Sequence, residues 1–440
     1  MRVQRTGAAL AAVFTWATCV AATAQTSTTP LRLSLDEAIR LAAERNPRLW
    51  AAREQLSIAE SDVRTAGQRP NPVFELSSEG LGGPAGLGRS GLFDRQELLL
   101  RVDHTLETGG RRRWRTEAAG HQMEAARAEA RDQARLLRLD VQRTYSQLVL
   151  ARAEVEATQA SLEEIDKVLA LNRIRLDQGE ISGGEYRRLE VERLRFVDET
   201  LSAELAARSV RSALLALIGE TRLDLPVEPT DTLDHCQTLQ PAAGEPGALR
   251  AAALAARADV EAARQERARA ESGVRLQQAL RLPSVTAGLG YHRDFGEGGL
   301  AFGVSVPIPV FDRNRGEIAR AHAEQRLADH RLSAIETAVA LEVQQAFDRL
   351  ETSRRRVEYI EREYLRSARQ SRDIVLAAYR AGAADLVDYL DAQRAYREAQ
   401  RTRNRALYDC RVNQFELDAA TGGGAPPSGV PAARIDGGSR

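Results

Sequence analysis

Ser284-Val285-Thr286-Ala287-Gly288-Leu289-Gly290-Tyr291 and Leu300-Ala301-Phe302-Gly303-Val304-Ser305-Val306-Pro307-Ile308 decide how this chain of 440 residues is read. Val285, Ala287, Leu289 and Tyr291 alternate with Ser284, Thr286, Gly288 and Gly290, the period-two pattern of a strand with one apolar face. Leu300, Phe302, Val304, Val306 and Ile308 repeat it against Ala301, Gly303, Ser305 and Pro307. A less regular version lies upstream, where Leu98, Leu100, Val102, His104 and Leu106 oppose Glu97, Leu99, Arg101, Asp103 and Thr105. Each run is close to the roughly 9 to 11 residues that a tilted strand needs to cross a bilayer. Strands of this kind more commonly pack on a soluble core. Four of them in one chain leave two open edges, however, and the helical runs beside them are too long to lie over so small a sheet. A barrel closed from several chains removes both edges and satisfies every backbone group in lipid.

Outward from the hairpins, His121–Gln178 and Glu317–Ala381 contain neither Gly nor Pro. Counted from Gly110, the first run holds roughly 65 residues and as a helix would reach roughly 100 Å. Val141, Leu148, Val155, Leu162, Leu169 and Leu176 recur every seventh position within it. Leu189, Phe196, Ala203, Val210 and Leu217 do the same beyond Gly179, and Val343, Leu350, Val357 and Tyr364 echo them later. A seven-residue period makes helices coil around neighbours, and the many alanines permit close approach. The bland outcome of such a pattern is an antiparallel coiled-coil scaffold; only the attached hairpins discriminate.

The whole arrangement occurs twice. Ala59-Glu60-Ser61-Asp62-Val63-Arg64 returns as Ala270-Glu271-Ser272-Gly273-Val274-Arg275, and Pro72 matches Pro283. Gly179, Tyr186, Leu214 and Gly219 match Gly382, Tyr389, Leu417 and Gly422 at a shorter offset, because the first hairpin carries the longer Gly-rich loop around Leu81 to Ser90. Tandem copies of one supersecondary unit fix the organisation: residues 25–219 form the first copy, 220–244 join the two, 245–422 form the second, and 423–440 read as a disordered tail. Residues 1–24 read as an export signal, with Arg2 and Arg5, an apolar run from Ala8 to Val20, and Ala22-Thr23-Ala24 before the cut. Cys19 is the one candidate for a lipid anchor, although Trp16-Ala17-Thr18 departs from the small residues such a site prefers. In an oxidising compartment Cys236 and Cys410 could pair.

Composition excludes more than it assigns. At 43% hydrophobic and 28% charged residues, with few aromatics, the chain is helix-rich with ample solvated surface. A formal charge of zero implies neither nucleic acid nor an anionic membrane surface as partner. His104, His121, His235, His292, His322 and His330 form no i,i+4 pair, and there is no Gly-rich phosphate loop or Cys-x-x-Cys. Asp234-His235-Cys236 is a weak ligand set, since three adjacent residues rarely converge on one ion. No cofactor is expected, and no enzymatic activity. Trp114 reads equally as an interfacial anchor or a helix-packing residue.

These features together resemble the TolC-like outer-membrane efflux factors over nearly the full mature length. Leu106-Glu107-Thr108-Gly109-Gly110-Arg111-Arg112 and Pro307-Ile308-Pro309-Val310-Phe311-Asp312-Arg313-Asn314 look like the strand-to-helix junctions of the cobalt-zinc-cadmium resistance members. The resemblance implies a mainly α chain with a transmembrane β part. Three copies, each giving four strands, would share one twelve-stranded barrel continued by a long periplasmic α-helical barrel, with residues 220–244 at its equator. It further implies a passive exit duct in the outer membrane, joined by a periplasmic adaptor to an inner-membrane RND pump. Divalent heavy-metal cations are the expected cargo, with drugs or a type I secreted polypeptide as alternatives. A periplasmic coiled-coil adaptor is the rival from another class.

Within that family, the segment Gly382-Ala383-Ala384-Asp385-Leu386-Val387-Asp388-Tyr389-Leu390-Asp391 matches the periplasmic gate. Asp388 and Asp391, three apart on one helix face, would give six carboxylates in a threefold ring that attracts cations. Acids near a helix start are also favoured by the helix dipole alone. Tyr379 and Glu185 fall where the family links its helix pairs by a hydrogen bond, with an aspartate usual in place of this glutamate. A second link expects an arginine at Ala384 and a hydroxyl at Gly184, and this chain has neither. Gly179, Ile181, Ser182, Gly382 and Leu386 would form the tip that meets the adaptor.

Overall fold

The computed structural model describes residues 30–79, 97–233, 244–294 and 297–423. The signal region with Cys19, the loop around Leu81 to Ser90, Asp234-His235-Cys236 and the tail after Gly423 lie outside the described residues. Strand β1 (Leu31–Leu33) leads into helices α1 (Leu35–Arg45) and α2 (Pro47–Ala66), then strands β2 (Val73–Glu79) and β3 (Glu97–Leu106). Next come α3 (Arg111–Asp177), α4 (Gly183–Leu217), β4 (Val227–Pro229), α5 (Pro246–Ala256) and α6 (Ala258–Leu280). Strands β5 (Val285–Asp294) and β6 (Glu297–Ser305), α7 (Arg315–Tyr359), α8 (Leu365–Arg380) and α9 (Leu386–Ala420) complete the order.

Local chemistry sets the boundaries. Ser34 caps α1 by accepting from the Glu37 amide, and Asn46 caps α2 with Pro47 at its first helical position. The Asn46 side chain also donates to the Leu217 carbonyl at 2.8 Å, so the entry to α2 is tied to the exit of α4. Here β1 and β4 form a parallel pair, and Tyr145 donates to the Leu33 carbonyl at 2.9 Å. Val141, Tyr145, Leu214, Leu215, Val260, Leu407 and Cys410 bury themselves around it. Cys410 is disulfide-bonded; Cys236, the expected partner, is among the residues not described. Two charges inside this core are paired, Arg411 with Asp231 at 2.6 Å and Arg257 with Asp259 at 2.7 Å and Glu342 at 2.6 Å.

The four hairpin strands form one antiparallel sheet in the order β2-β3-β5-β6. Leu76, Leu100 and Tyr291 stand in register across it, as do Phe74, Val102, Leu289 and Phe302. These side chains share one face, and no helix covers it: Leu300 is 85% and Phe302 75% exposed. On the opposite face Arg101 pairs with Asp103 at 2.7 Å. Gly303 lies under that guanidinium, where an added Cβ would meet Arg101 Nη2 at 2.9 Å. The chain therefore keeps glycine where a strand prefers a branched residue.

Two boundaries differ from the sequence expectation. The last strand stops at Ser305, not Ile308, because Pro307 and Pro309 have no N–H to give a ladder. The Gly- and Pro-free run from Glu317 to Ala381 is not one helix: a π-helical turn at Ile360–Tyr364 divides α7 from α8, with the Leu365 amide bonded to the Ile360 carbonyl. One extra residue enters that turn and rotates the apolar seam. Val343, Leu350 and Val357 are buried before it, whereas Tyr364, the next member of the series, is exposed. The first long helix, α3, runs unbroken for 67 residues. Among the described residues, no helix is long and apolar enough to cross a membrane.

Candidate gate at the helix tips

Two helix reversals form the tip, and they are built alike. At the first, Gly179 takes φ 76°, the Glu180 amide donates back to the Arg175 carbonyl at 2.8 Å, and Ser182 starts α4. At the second, Gly382 takes φ 75°, the Ala383 amide donates to the Ala378 carbonyl at 2.8 Å, and Asp385 starts α9. No neighbour lies within 4 Å of where a Cβ would stand on either glycine, so the left-handed backbone alone calls for them. Ser182 and Glu185 form a reciprocal capping box: the Glu185 amide donates to Ser182 Oγ at 3.2 Å, and the Ser182 amide donates to Glu185 Oε2 at 2.8 Å. Asp385 accepts from the Asp388 amide at 2.9 Å.

Beneath the turns Ile165, Val168, Leu189, Phe196, Tyr379, Leu386, Tyr389 and Leu390 make a second apolar cluster, separate from the equatorial core. Tyr379 and Tyr389 stack with ring centroids 5.4 Å apart. Burial pushes both phenol hydroxyls above the usual tyrosine range. A cleft of about 380 Å³ separates the reversals, with Asn172, Arg175, Glu185, Tyr379 and Leu386 in its wall. Arg175 crosses it, donating to the Arg380 carbonyl at 3.1 Å and lying 5.5 Å over the Tyr379 ring.

The expected residues are brought to one end but not into the expected pairs. Tyr379 donates to Asn172 Oδ1 at 2.7 Å, not to Glu185, whose carboxylate is taken by the Ser182 amide. The longer glutamate reaches back to its own cap. Leu386 is only 7% exposed, because as the first residue of α9 it turns into the tyrosine cluster, and Val387 is exposed instead. Asp388 and Asp391 are both exposed. They are chemically unequal, since Asp391 accepts from Arg394 Nη1 at 3.3 Å. Gly179, Ser182 and Gly382 are exposed, and Ile181 is half-buried.

Sequence reasoning missed a charged ladder above the tip. Glu192 on α4 is nearly buried, 3.2 Å from Arg394 and 3.9 Å from Arg397 of α9. One heptad further, Glu199 meets Arg397 at 3.1 Å and Arg401 at 2.6 Å. Arg397 also stacks over Phe196 at 4.0 Å, and burial lowers its pKa. The signal was present in the seven-residue spacing of Glu192 and Glu199 and the matching 394, 397, 401 series, read only for its apolar members. Together the tip joins the two helical hairpins by a few polar ties that could be broken singly.

Comparison with known proteins places this geometry. The family described as Outer membrane efflux protein matches residues 38–220 and 249–423. The cobalt-zinc-cadmium resistance protein CzcC of Cupriavidus metallidurans is 25% identical over 370 residues, 84% of this chain and 85% of that protein. The nickel-cobalt-cadmium resistance protein NccC of Alcaligenes xylosoxydans xylosoxydans is 26% identical over 315 residues, 70% of this chain and 67% of its own. In structure the chain is similar to CusC, with a TM-score of 0.77 and 20% identity over 89% of this chain and 92% of that one, a likeness of fold. This chain belongs to the outer membrane efflux protein family.

Proposed function

From that membership we propose that the chain is the outer-membrane exit duct of a tripartite efflux assembly. Three copies pool their strands in one twelve-stranded barrel and their long helices in a periplasmic tunnel, with residues 1–24 removed as an export signal. The copies span 25–219 and 245–422, joined by an equatorial segment at 220–244. The observation that carries the reading is the uncovered apolar face of the β2-β3-β5-β6 sheet together with its two unpaired edges. An isolated sheet of this kind is unstable in water, whereas closure with two further copies pairs β6 with a neighbouring β2 and gives lipid a continuous apolar wall.

No covalent step is needed. The inner-membrane pump supplies energy through a periplasmic adaptor, which meets the exposed turns at Gly179, Ser182 and Gly382 with Ile181 beside them; Val387 takes the part first given to Leu386. Solute then diffuses through a water-filled lumen once the tip opens. Divalent heavy-metal cations are the favoured cargo, supported by the named metals of the CzcC and NccC relatives. Asp388 and Asp391, repeated by threefold symmetry, draw cations to the mouth, and Asp388 carries most of that field because Arg394 offsets Asp391. Tyr379 and Asn172 hold the helix hairpins together at rest, while Glu185 braces the α4 start.

The test is reconstitution of the full chain in planar bilayers. Asp388→Ala with Asp391→Ala should raise single-channel conductance and weaken block by trivalent cations; no change in either removes the acidic ring. Monomers without conductance would overturn the duct. Cells lacking the chain should become sensitive to cobalt, zinc or cadmium. Sensitivity to organic toxicants alone would transfer the cargo to the multidrug alternative.

A further inference from the structure

Four connections join the sheet to helices, at residues 67–72, 107–110, 281–284 and 306–314. With the helical residues 111–115 and 315 they hold eight arginines against two acids, Glu107 and Asp312, in a chain whose formal charge is zero. Two of the arginines are structural. Arg111 donates to Ser284 Oγ at 2.7 Å and to the Leu280 and Leu282 carbonyls. Arg115 donates to the Ala66 and Gln68 carbonyls at 2.8 and 3.0 Å and pairs with Glu107 at 2.7 Å. The other six, Arg69, Arg112, Arg113, Arg281, Arg313 and Arg315, are exposed. Among the described residues only Arg113 has a carboxylate in reach, Glu117 at 3.9 Å.

The same connections expose large apolar side chains. Leu282 is 52%, Ile308 82%, Val310 58% and Phe311 101% exposed, and the last three follow the end of β6 at Ser305. Trp114 lies between two guanidinium groups, 4.7 Å from Arg113 and 5.0 Å from Arg275. Apolar groups on the sheet side and exposed guanidinium groups on the helix side reproduce the profile of a phospholipid, acyl chain first and phosphate next. A guanidinium fork matches two phosphate oxygens, so arginine suits this contact better than lysine.

We propose that the ring of strand-to-helix junctions binds the headgroups of anionic phospholipids in the periplasmic leaflet, with Arg112, Arg113, Arg313 and Arg315 as the phosphate contacts and Phe311 among the acyl chains. The inference rests on the barrel reading above. Each such arginine strengthens attachment to an anionic surface by about fivefold.

The test uses the full-length protein in nanodiscs of phosphatidylcholine with a minor share of phosphatidylglycerol, and native mass spectrometry to count retained lipids. The protein should enrich phosphatidylglycerol by roughly tenfold or more, lose the enrichment at high salt, and keep it in the presence of inorganic phosphate. The quadruple variant R112Q/R113Q/R313Q/R315Q should lose it while retaining trimers and conductance. Enrichment unchanged in the variant overturns the proposal. So does a variant that dissociates into monomers, which would give these arginines to a neighbouring copy, or one that changes only ion selectivity, which would place them in the lumen. A protein that fails to insert at all would sink the barrel reading itself.

Discussion

The two ends of the helical shaft are held in different ways. At the strand-to-helix junction, side chains bond to backbone carbonyls of other elements: Arg115 to Ala66 and Gln68, Arg111 to Leu280 and Leu282, Asn314 to Gln277, Thr108 to Pro283. Each such bond fixes one element against another with little freedom left. At the two reversals, backbone amides are satisfied within their own helices and the ties between hairpins are chiefly Tyr379 to Asn172 and Arg175 to the Arg380 carbonyl, with the Glu192 and Glu199 ion pairs above them. A net hydrogen bond contributes about 1 kcal/mol. The junction thus resists deformation by several hydrogen bonds to backbone, whereas the tip relies on one or two and on side-chain ion pairs that can exchange with water. In the proposed duct, the end that opens and the end that stays sealed would be distinguished by the kind of ties that span elements.

Arg115→Ala is the most damaging test of that contrast. It removes four hydrogen bonds to three partners and orphans Glu107, so thermal unfolding of the detergent-purified protein should show a loss of about 3 kcal/mol, with closed-channel conductance unchanged. A leaky channel would mean that the junction also gates. Glu192→Gln comes next. The carboxylate is nearly buried but its main partner Arg394 is half-exposed, so about 2 kcal/mol is expected, read as more frequent opening in bilayers and little change in unfolding temperature. Tyr379→Phe deletes the single bond to Asn172; about 1 kcal/mol should shift the open-to-closed ratio by about fivefold. If Tyr379→Phe instead unfolds the protein before it opens the channel, the tip is no looser than the junction.

The smallest effect concerns pH. Burial raises the Tyr379 and Tyr389 hydroxyls, so their neutral forms stabilise the closed tip. That contribution is complete below the ordinary tyrosine value of about 10 and declines as pH rises toward the raised one. Opening should increase above about pH 10, and the double variant Tyr379→Phe, Tyr389→Phe should lose this dependence. Persistence of the alkaline response in that variant would assign it to other groups.

Much of the fold was legible because its signals are periodic. Alternation in 284–291 and 300–308 gave the hairpin, and an unbroken run to Gln178 gave the long helix. What periodicity could not show was the single-residue slip at Ile360–Tyr364, since no Gly or Pro marks it. The site was legible as a place and not as a set of contacts. Asp388, Asp391, Tyr379 and Glu185 do gather at one end, but Tyr379 takes a partner 207 positions away in Asn172, and Leu386 turns inward because the cap at Asp385 fixes its direction. Net charge is blind to local distribution. A balanced total does not say where charge sits: the junction segments hold eight arginines against two acids, and the balance is restored elsewhere along the chain.

The π-helical turn at Ile360–Tyr364 sets the clocking of everything downstream. Were that turn to close into regular α-helix with all its residues kept, α8 would swing by up to roughly 100° about its axis. Tyr379, four turns away, would then point off its asparagine without any change in its own surroundings. The fit of the proposed gate at the far end is thus timed by an inserted tooth in the shaft, and can be lost by a shift in reading of the spiral alone.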